Sequence, residues 1–119
     1  MVKRKLKVLL ADDDFTMVAL VKTLLEMEGY QVATLLDKKG DLLENIRAEK
    51  PDILLIDIFL GGYNGLTVVR QIREREDMQA LKIFMVSGVN KAEDCLAAGA
   101  NAFLLKPYMP DDLFNLLRS

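Results

Sequence analysis

In the decapeptide PDILLIDIFL, residues 51–60, Asp57 is the lone carboxylate inside the apolar run that follows Pro51 and Asp52. A near-continuous run of branched apolar residues is typical of a strand that is covered on both faces, as in a parallel sheet. An unpaired charge is costly to bury inside such a strand. We therefore predict a buried strand over Ile53–Ile58 and interpret Asp57 as a functional carboxylate at its end.

Apolar runs alternate with segments of helical spacing along the whole chain. The other four runs are Leu6–Ala11, Gln31–Leu36, Lys82–Ser87 and Asn101–Leu105. The helical segments are Phe15–Glu28, Asp41–Lys50, Gly65–Glu74, Lys91–Ala98 and Pro110–Arg118. Five strand and helix pairs in sequence favour right-handed crossovers and a doubly wound α/β fold with a parallel sheet.

Composition limits the possible function classes. The chain has 119 residues, which fits one domain over 1–119, and we leave open a C-terminal output domain. It has no histidine, so histidine triads and imidazole metal sites are excluded, and its one cysteine, Cys95, cannot form an internal disulfide. The net charge of −2 argues against nucleic-acid binding, and no apolar stretch reaches the roughly 18 residues of a membrane helix. We expect a soluble, cytoplasmic domain.

Polar residues follow the predicted strands at their carboxyl ends, where doubly wound sheets bind ligands. They are Asp12 and Asp13 after the first strand, Asp57 in the third, Ser87 in the fourth and Lys106 after the fifth. Consecutive aspartates repel one another unless a cation or hydrogen-bond donors are present. A cluster of hard carboxylate oxygens suits Mg²⁺, so we predict that Asp12 and Asp13 bind this metal.

Lys106 and Ser87 are predicted to complete the site. Lys106 ends the run AFLLKP, and its ammonium at the sheet edge could pair with phosphate oxygens. Ser87 has no histidine to activate it as a nucleophile, so it fits better as a hydroxyl donor to an oxyanion. Asp57 would then be the nucleophile.

Four motifs in order resemble the response-regulator receiver domains of the CheY-like type. They are LLADDD (9–14), PDILLIDIFLGGYNGL (51–66), IFMVSG (83–88) and GANAFLLKPY (99–108). The resemblance covers nearly the whole chain. It implies a flavodoxin/CheY-like sheet of five parallel strands in the order 2-1-3-4-5, with five helices, and a cis peptide between Lys106 and Pro107.

The resemblance also implies a function in two-component signal transduction. Asp57 would accept a phosphoryl group from a sensor histidine kinase or a histidine phosphotransfer protein, as in a phosphorelay, and become an aspartyl-phosphate. Mg²⁺ would be held by Asp12, Asp13, Asp57 and the backbone carbonyl of Phe59. The domain would be a signalling switch rather than an enzyme, with self-catalysed phosphotransfer and slow autodephosphorylation.

The switch implied by the resemblance involves Ser87 and Phe103. Ser87 and Lys106 would contact the phosphoryl oxygens, and Phe103 would turn inward when Ser87 moves. The change would alter the face formed by the fourth helix, the fifth strand and the fifth helix, which would act on an output domain or protein. We expect no direct contact of this domain with nucleic acid or a membrane.

The sequence departs from the usual receiver pattern at several positions. Gly61 stands where the family usually has proline, Ser87 and Gly88 replace the commoner threonine and alanine, and Phe59 is bulky beside the acceptor. The segment between Ser87 and Lys106 is also shorter than usual by roughly one helical turn.

Three other interpretations compete with a receiver. Asp12, Asp14 and Thr16 form a D-x-D-x-T pattern that resembles haloacid-dehalogenase-type phosphatases, with Asp12 as the nucleophile. The sequence lacks the later acidic motif that such phosphatases need, and this interpretation leaves Asp57 unexplained. A flavin or nucleotide binder would need a glycine-rich loop instead of three aspartates. A pseudo-receiver that docks without phosphorylation is the last alternative.

Overall fold

The computed structural model describes residues 5–35 and 40–119. Its strands are β1 Lys7–Ala11, β2 Gln31–Thr34, β3 Ile53–Asp57, β4 Phe59–Leu60, β5 Tyr63–Asn64, β6 Lys82–Ser87 and β7 Ala102–Leu105. Its helices are α1 Phe15–Met27, α2 Leu42–Glu49, α3 Gly65–Arg73, α4 Ala92–Ala98 and α5 Pro110–Arg118, with a 3₁₀ turn at Glu76–Met78. Every predicted element is present, although β2 ends at Thr34 and Leu36 lies outside the described residues.

Five strands form one parallel sheet in the order β2-β1-β3-β6-β7. Counted without the two short strands β4 and β5, this is the predicted order 2-1-3-4-5. Leu54 of the central strand β3 is in register with Leu9 of β1 and with Ile83 of β6. The predicted doubly wound α/β fold is therefore confirmed.

Each face of the sheet is covered by helices. Side chains such as Leu9, Leu54 and Ile83 form one core with α2, α3 and α4. Val8, Leu10 and their neighbours form the other core with α1 and α5. All five residues of β3 are buried, which explains why the strand reads as an unbroken apolar run.

The predicted helix termini are set by specific side chains and backbone conformations. Asp14 accepts a hydrogen bond from the Met17 N–H at 3.1 Å, and Asn64 accepts one from the Leu66 N–H at 2.9 Å, so both cap their helices. Helix α4 spans only seven residues and ends at Gly99, whose φ is +116°. The short segment between Ser87 and Lys106 is thus accommodated by a short α4.

A β-hairpin follows β3, in a segment where the sequence analysis predicts no strand. Phe59 pairs with Asn64 and Leu60 pairs with Tyr63 in antiparallel register, which leaves Gly61 and Gly62 as a two-residue loop. Both glycines have positive φ, +31° and +51°. The pattern missed this hairpin because strands of two residues carry no periodic signal.

Among the residues that the structure describes, no helix is long and apolar enough to cross a membrane.

Candidate functional site

The polar residues predicted at the strand ends lie together at one end of the sheet. We call this region the carboxyl edge and define it by Asp12, Asp13, Asp57, Ser87 and Lys106. Parallel strands place all their carboxyl ends at the same edge, so residues distant in sequence become neighbours. Asp57 ends β3 opposite Val86 of β6, and the next residue of β6, Ser87, pairs with Leu105 of β7, directly before Lys106.

Three carboxylates form the acidic part of this edge. Asp12, Asp13 and Asp57 each offer an oxygen, and these oxygens all lie within 4.8 Å of one another. Asp12 is 5% exposed and Asp57 is 7% exposed, whereas Asp13 faces solvent. The acidic cluster therefore has two buried carboxylates and one that opens to water.

The Lys106 ammonium lies between the two buried carboxylates. Its Nζ is 2.7 Å from Asp12 Oδ2 and 2.6 Å from Asp57 Oδ2. Burial works against the charged ammonium, but the hydrogen bonds to Asp12 and Asp57 outweigh it, so the pKa of Lys106 is raised. Sequence reasoning placed Lys106 here but did not foresee that it bridges Asp12 and Asp57.

Burial has a second electrostatic effect, on Asp12. It raises the pKa of the Asp12 carboxyl, while the hydrogen bonds from Lys106 and from the Asp14 N–H act in the opposite direction. The latter bond, to Asp12 Oδ1, is 3.0 Å long. Asp12 is thus held by donors on both oxygens although its charge is costly to bury.

The backbone around Asp57 is fixed by its neighbours in sequence. The Phe59 N–H donates to Asp57 Oδ1 at 2.9 Å, and the Gly65 N–H donates to the Ile58 carbonyl at 2.6 Å. A Cβ on Gly65 would overlap the backbone carbonyl oxygen of Asp57, so only glycine fits there. The sequence analysis placed Gly65 at the start of a helix and missed this close approach.

Ser87 is completely buried at the end of β6. Its Oγ accepts a hydrogen bond from the Val89 N–H at 3.1 Å, and its carbonyl accepts one from the Lys106 N–H at 2.8 Å. The second contact ties Ser87 directly to the backbone of Lys106. The peptide bond that follows, Lys106–Pro107, is cis, as the family resemblance implies.

Phe103 and Tyr108 lie on opposite sides of the sheet near this edge. Phe103 pairs with Met85, is partly buried and packs against the core covered by α2, α3 and α4. Tyr108 is buried in the other core, where burial and the charge of Asp12 raise the pKa of its hydroxyl to about 12. The motif analysis did not single out Tyr108, since a tyrosine after a strand carries no distinctive signal.

The donor set of the carboxyl edge fits Mg²⁺. Carboxylate oxygens are the hard ligands that this cation prefers, and Mg²⁺ keeps several waters, which the exposed side of Asp13 can admit. Phe59 begins β4 two residues after Asp57, and its N–H donates to Asp57 Oδ1 at 2.9 Å, so its backbone lies beside the acidic cluster.

A match to a known family identifies the kind of domain that carries this site. Residues 8–118 match the response regulator receiver domain. The chain belongs to this family. A crystal structure of a CheY-like receiver domain protein from Methanospirillum hungatei JF-1 is similar, with 30% identity and a TM-score of 0.84, covering 97% of this chain and 92% of that one. The receiver domain from Bermanella marisrubri has 27% identity and a TM-score of 0.83, with 97% of each chain covered.

Curated relatives are longer than this receiver domain. The phosphate regulon transcriptional regulatory protein PhoB of Rhizobium meliloti is 30% identical over 111 residues, which are 90% of this chain and 48% of PhoB. The chain spans about half the length of curated relatives such as PhoB.

The alternative functions are not favoured by these findings. The family match places the chain among receivers of two-component signalling and not among phosphatases or flavin proteins. The Asp14 side chain, which the phosphatase pattern would need in the site, instead caps α1 through the Met17 N–H.

Proposed function

We propose that Asp57 is the phosphoryl acceptor of this receiver domain. The observation that carries the proposal is the arrangement around its buried carboxylate, which has the Lys106 ammonium at 2.6 Å and the oxygens of Asp12 and Asp13 within 4.8 Å. Asp57 is the member of this group that ends the central strand with its backbone fixed on both sides. A fixed nucleophile loses little freedom on reaching the transition state.

The reaction transfers a phosphoryl group from a phosphohistidine to the Asp57 carboxylate. One oxygen of Asp57 bonds to phosphorus while the bond from phosphorus to the imidazole nitrogen breaks, and its electron pair stays on that nitrogen. The Lys106 ammonium would then donate a hydrogen bond to the phosphoryl oxygens, which are stronger acceptors than the Asp57 carboxylate. Phosphoryl transfer relies mainly on positioning and charge stabilisation, which these residues would supply for self-catalysed transfer together with the Mg²⁺ that they would hold.

Asp12, Asp13, Asp57 and the Phe59 carbonyl would hold Mg²⁺. The cation would neutralise charge on the phosphoryl oxygens during transfer. Asp12 and Asp13, which would otherwise repel the negatively charged phosphoryl group, would then help to hold it beside Asp57. The same residues would support slow autodephosphorylation by water.

Ser87 and Phe103 would convert phosphorylation into a change of shape. An aspartyl-phosphate adds strong acceptors beside Ser87, whose hydroxyl can turn from the Val89 N–H toward them. The β6–α4 loop would follow Ser87. Phe103, already partly buried against the core beside α4, would pack more deeply, and the face made by α4, β7 and α5 would change.

The partners follow from the family. A sensor histidine kinase or a histidine phosphotransfer protein would supply the phosphoryl group in the cytoplasm. The relatives of about twice the length suggest that an output domain accompanies the receiver in the whole protein. The domain's net charge of −2 fits a switch that acts on such an output and does not itself bind DNA.

Phosphorylation by acetyl phosphate tests the role of Asp57. We expect one aspartyl-phosphate in the presence of Mg²⁺, which borohydride reduction and mass spectrometry would map to Asp57. Asp57→Asn should abolish labelling while the protein stays folded. Asp94→Asn, an exposed aspartate on α4, is the matched control and should label normally. Label on Asp12 in the wild type would contradict the proposal and support the phosphatase-like chemistry.

A further inference from the structure

The β4–β5 hairpin has a turn that the usual receiver residue could not make. Gly61 and Gly62 both have positive φ, as the central residues of a type I′ turn require. Proline has φ near −65° and no N–H, so it cannot replace Gly61 in this conformation. The glycine in place of the usual proline therefore gives this chain a different connection after its acceptor strand.

The outer edge of β4 faces the acidic site. In a two-residue hairpin the pair beside the turn, here Leu60 and Tyr63, points its backbone groups inward, so the groups of Phe59 point outward. The Phe59 N–H donates to Asp57 Oδ1 at 2.9 Å and the Gly61 N–H donates to Asp13 Oδ2 at 3.4 Å. By the same alternation the Phe59 carbonyl lies on this outer edge.

The hairpin is anchored on both sides of its turn. Leu60 is buried in the core that α2 and α3 cover, and the Tyr63 hydroxyl donates to the Gly40 carbonyl at 2.6 Å. Asn64 caps α3, and the Gly65 N–H is bonded to the Ile58 carbonyl. The two glycines thus lie in a fixed turn whose N–H groups keep defined directions.

We propose that Gly61 is a positioning residue for the cation site. Its N–H holds the solvent-exposed Asp13 carboxylate next to the two buried ones, and the positive-φ turn keeps the Phe59 carbonyl at the same edge. Without this contact Asp13 is free to rotate into solvent. The inference rests on the proposed magnesium site.

Two substitutions at position 61 test whether the turn conformation and its N–H are needed, rather than glycine itself. Gly61→Pro installs the residue that receivers usually have, but it removes the N–H and the positive φ. Gly61→Asn creates Asn-Gly, the favoured sequence of a type I′ turn, and keeps the N–H. We expect Mg²⁺ binding, measured by calorimetry, to weaken about threefold to tenfold in Gly61→Pro, the loss typical of one hydrogen bond, and to stay near wild type in Gly61→Asn.

Amide spectra give a readout that does not depend on the metal. In ¹⁵N-labelled, Mg²⁺-free protein, Asp13→Ala, which removes the acceptor, should shift the Gly61 amide signal far more than the Gly62 signal. Melting temperatures of all variants without Mg²⁺ would show which of them remain folded. If Gly61→Pro does not fold, the paired Gly61 and Gly62 signals still decide the question.

The outcomes distinguish the two proposals. Mg²⁺ binding by the wild type and equally tight binding by folded Gly61→Pro would overturn the role of Gly61 and leave the metal site intact. An Asp13→Ala variant with an unchanged Gly61 signal would also overturn it. A wild type that binds no Mg²⁺ would refute the metal site itself and, with it, this inference.

Discussion

The two ends of the parallel sheet both contain a lysine close to carboxylates, but the balance of charge differs. At the opposite end, which we call the amino edge and define by Lys7, Glu49 and Asp52, Lys7 Nζ donates to Glu49 Oε2 at 2.9 Å and to the Glu49 carbonyl at 2.7 Å. The Lys7 N–H donates to Asp52 Oδ2 at 2.8 Å. At this edge the Lys7 ammonium pairs with one carboxylate, that of Glu49, and also binds the last carbonyl of α2.

At the carboxyl edge one ammonium serves three carboxylates. Lys106 bridges Asp12 and Asp57, and Asp13 adds a third negative charge within 4.8 Å. Burial is similar for the two lysine side chains, at 18% exposed for Lys106 and 20% for Lys7. The two edges therefore differ in how their carboxylates are grouped: three lie around one ammonium at the carboxyl edge, whereas Lys7 pairs with Glu49 through its ammonium and with Asp52 only through its backbone N–H.

Replacing Lys106 should have the largest effect on stability. Lys106→Met keeps the volume but leaves Asp12 and Asp57 buried without their cation, so we expect the free energy of unfolding to fall by about 3 kcal/mol. Urea unfolding in Mg²⁺-free buffer would measure this loss. Added Mg²⁺ should recover part of it by supplying a cation to the same carboxylates. A loss that Mg²⁺ does not reduce would argue that Lys106 acts through packing alone.

Tyr108 should report the charge of the carboxyl edge through its titration. Its folded pKa, about 12, lies above the ordinary value of 10, so its contribution to stability is complete below pH 10 and is lost as pH rises toward 12. At 1.36 kcal/mol per pKa unit the loss reaches roughly 3 kcal/mol. Absorbance titration of wild type against Tyr108→Phe would isolate this pKa. Asp12→Asn should lower it, whereas Lys7→Met should leave it unchanged.

Magnesium should stabilise the protein through the carboxyl edge. Ligand at ten times its dissociation constant adds about 1.4 kcal/mol to the free energy of unfolding. Thermal melts with and without millimolar Mg²⁺, at matched ionic strength, would measure the gain. Asp13→Asn should reduce it and Asp94→Asn should not. A melting temperature that stays constant over a full titration would contradict a magnesium site.

The fold and the location of the site were predictable because their signals are local or follow from topology. Unbroken apolar strands and helical spacing indicate a parallel sheet, and such a sheet gathers Asp12, Asp57 and Lys106 at one edge. The Lys106 bridge was not predictable, since the direction of a long side chain depends on its neighbours in three dimensions. The β4–β5 hairpin was missed because its strands are too short for periodicity.

The amino edge offers the smallest effect and the sharpest check of the comparison. Lys7→Met removes one ion pair and one hydrogen bond to the last carbonyl of α2, but its side-chain stem can still pack. Partly exposed pairs contribute little, so we expect a loss of about 1 kcal/mol or less. The loss should be the same with and without Mg²⁺, because among the described residues Glu49 and Asp52 belong to no cluster of three carboxylates. A double-mutant cycle with Glu49→Gln would measure the coupling by urea unfolding. If Lys7→Met cost as much as Lys106→Met, or if Mg²⁺ restored it, the two edges would not differ in the way that their charges indicate.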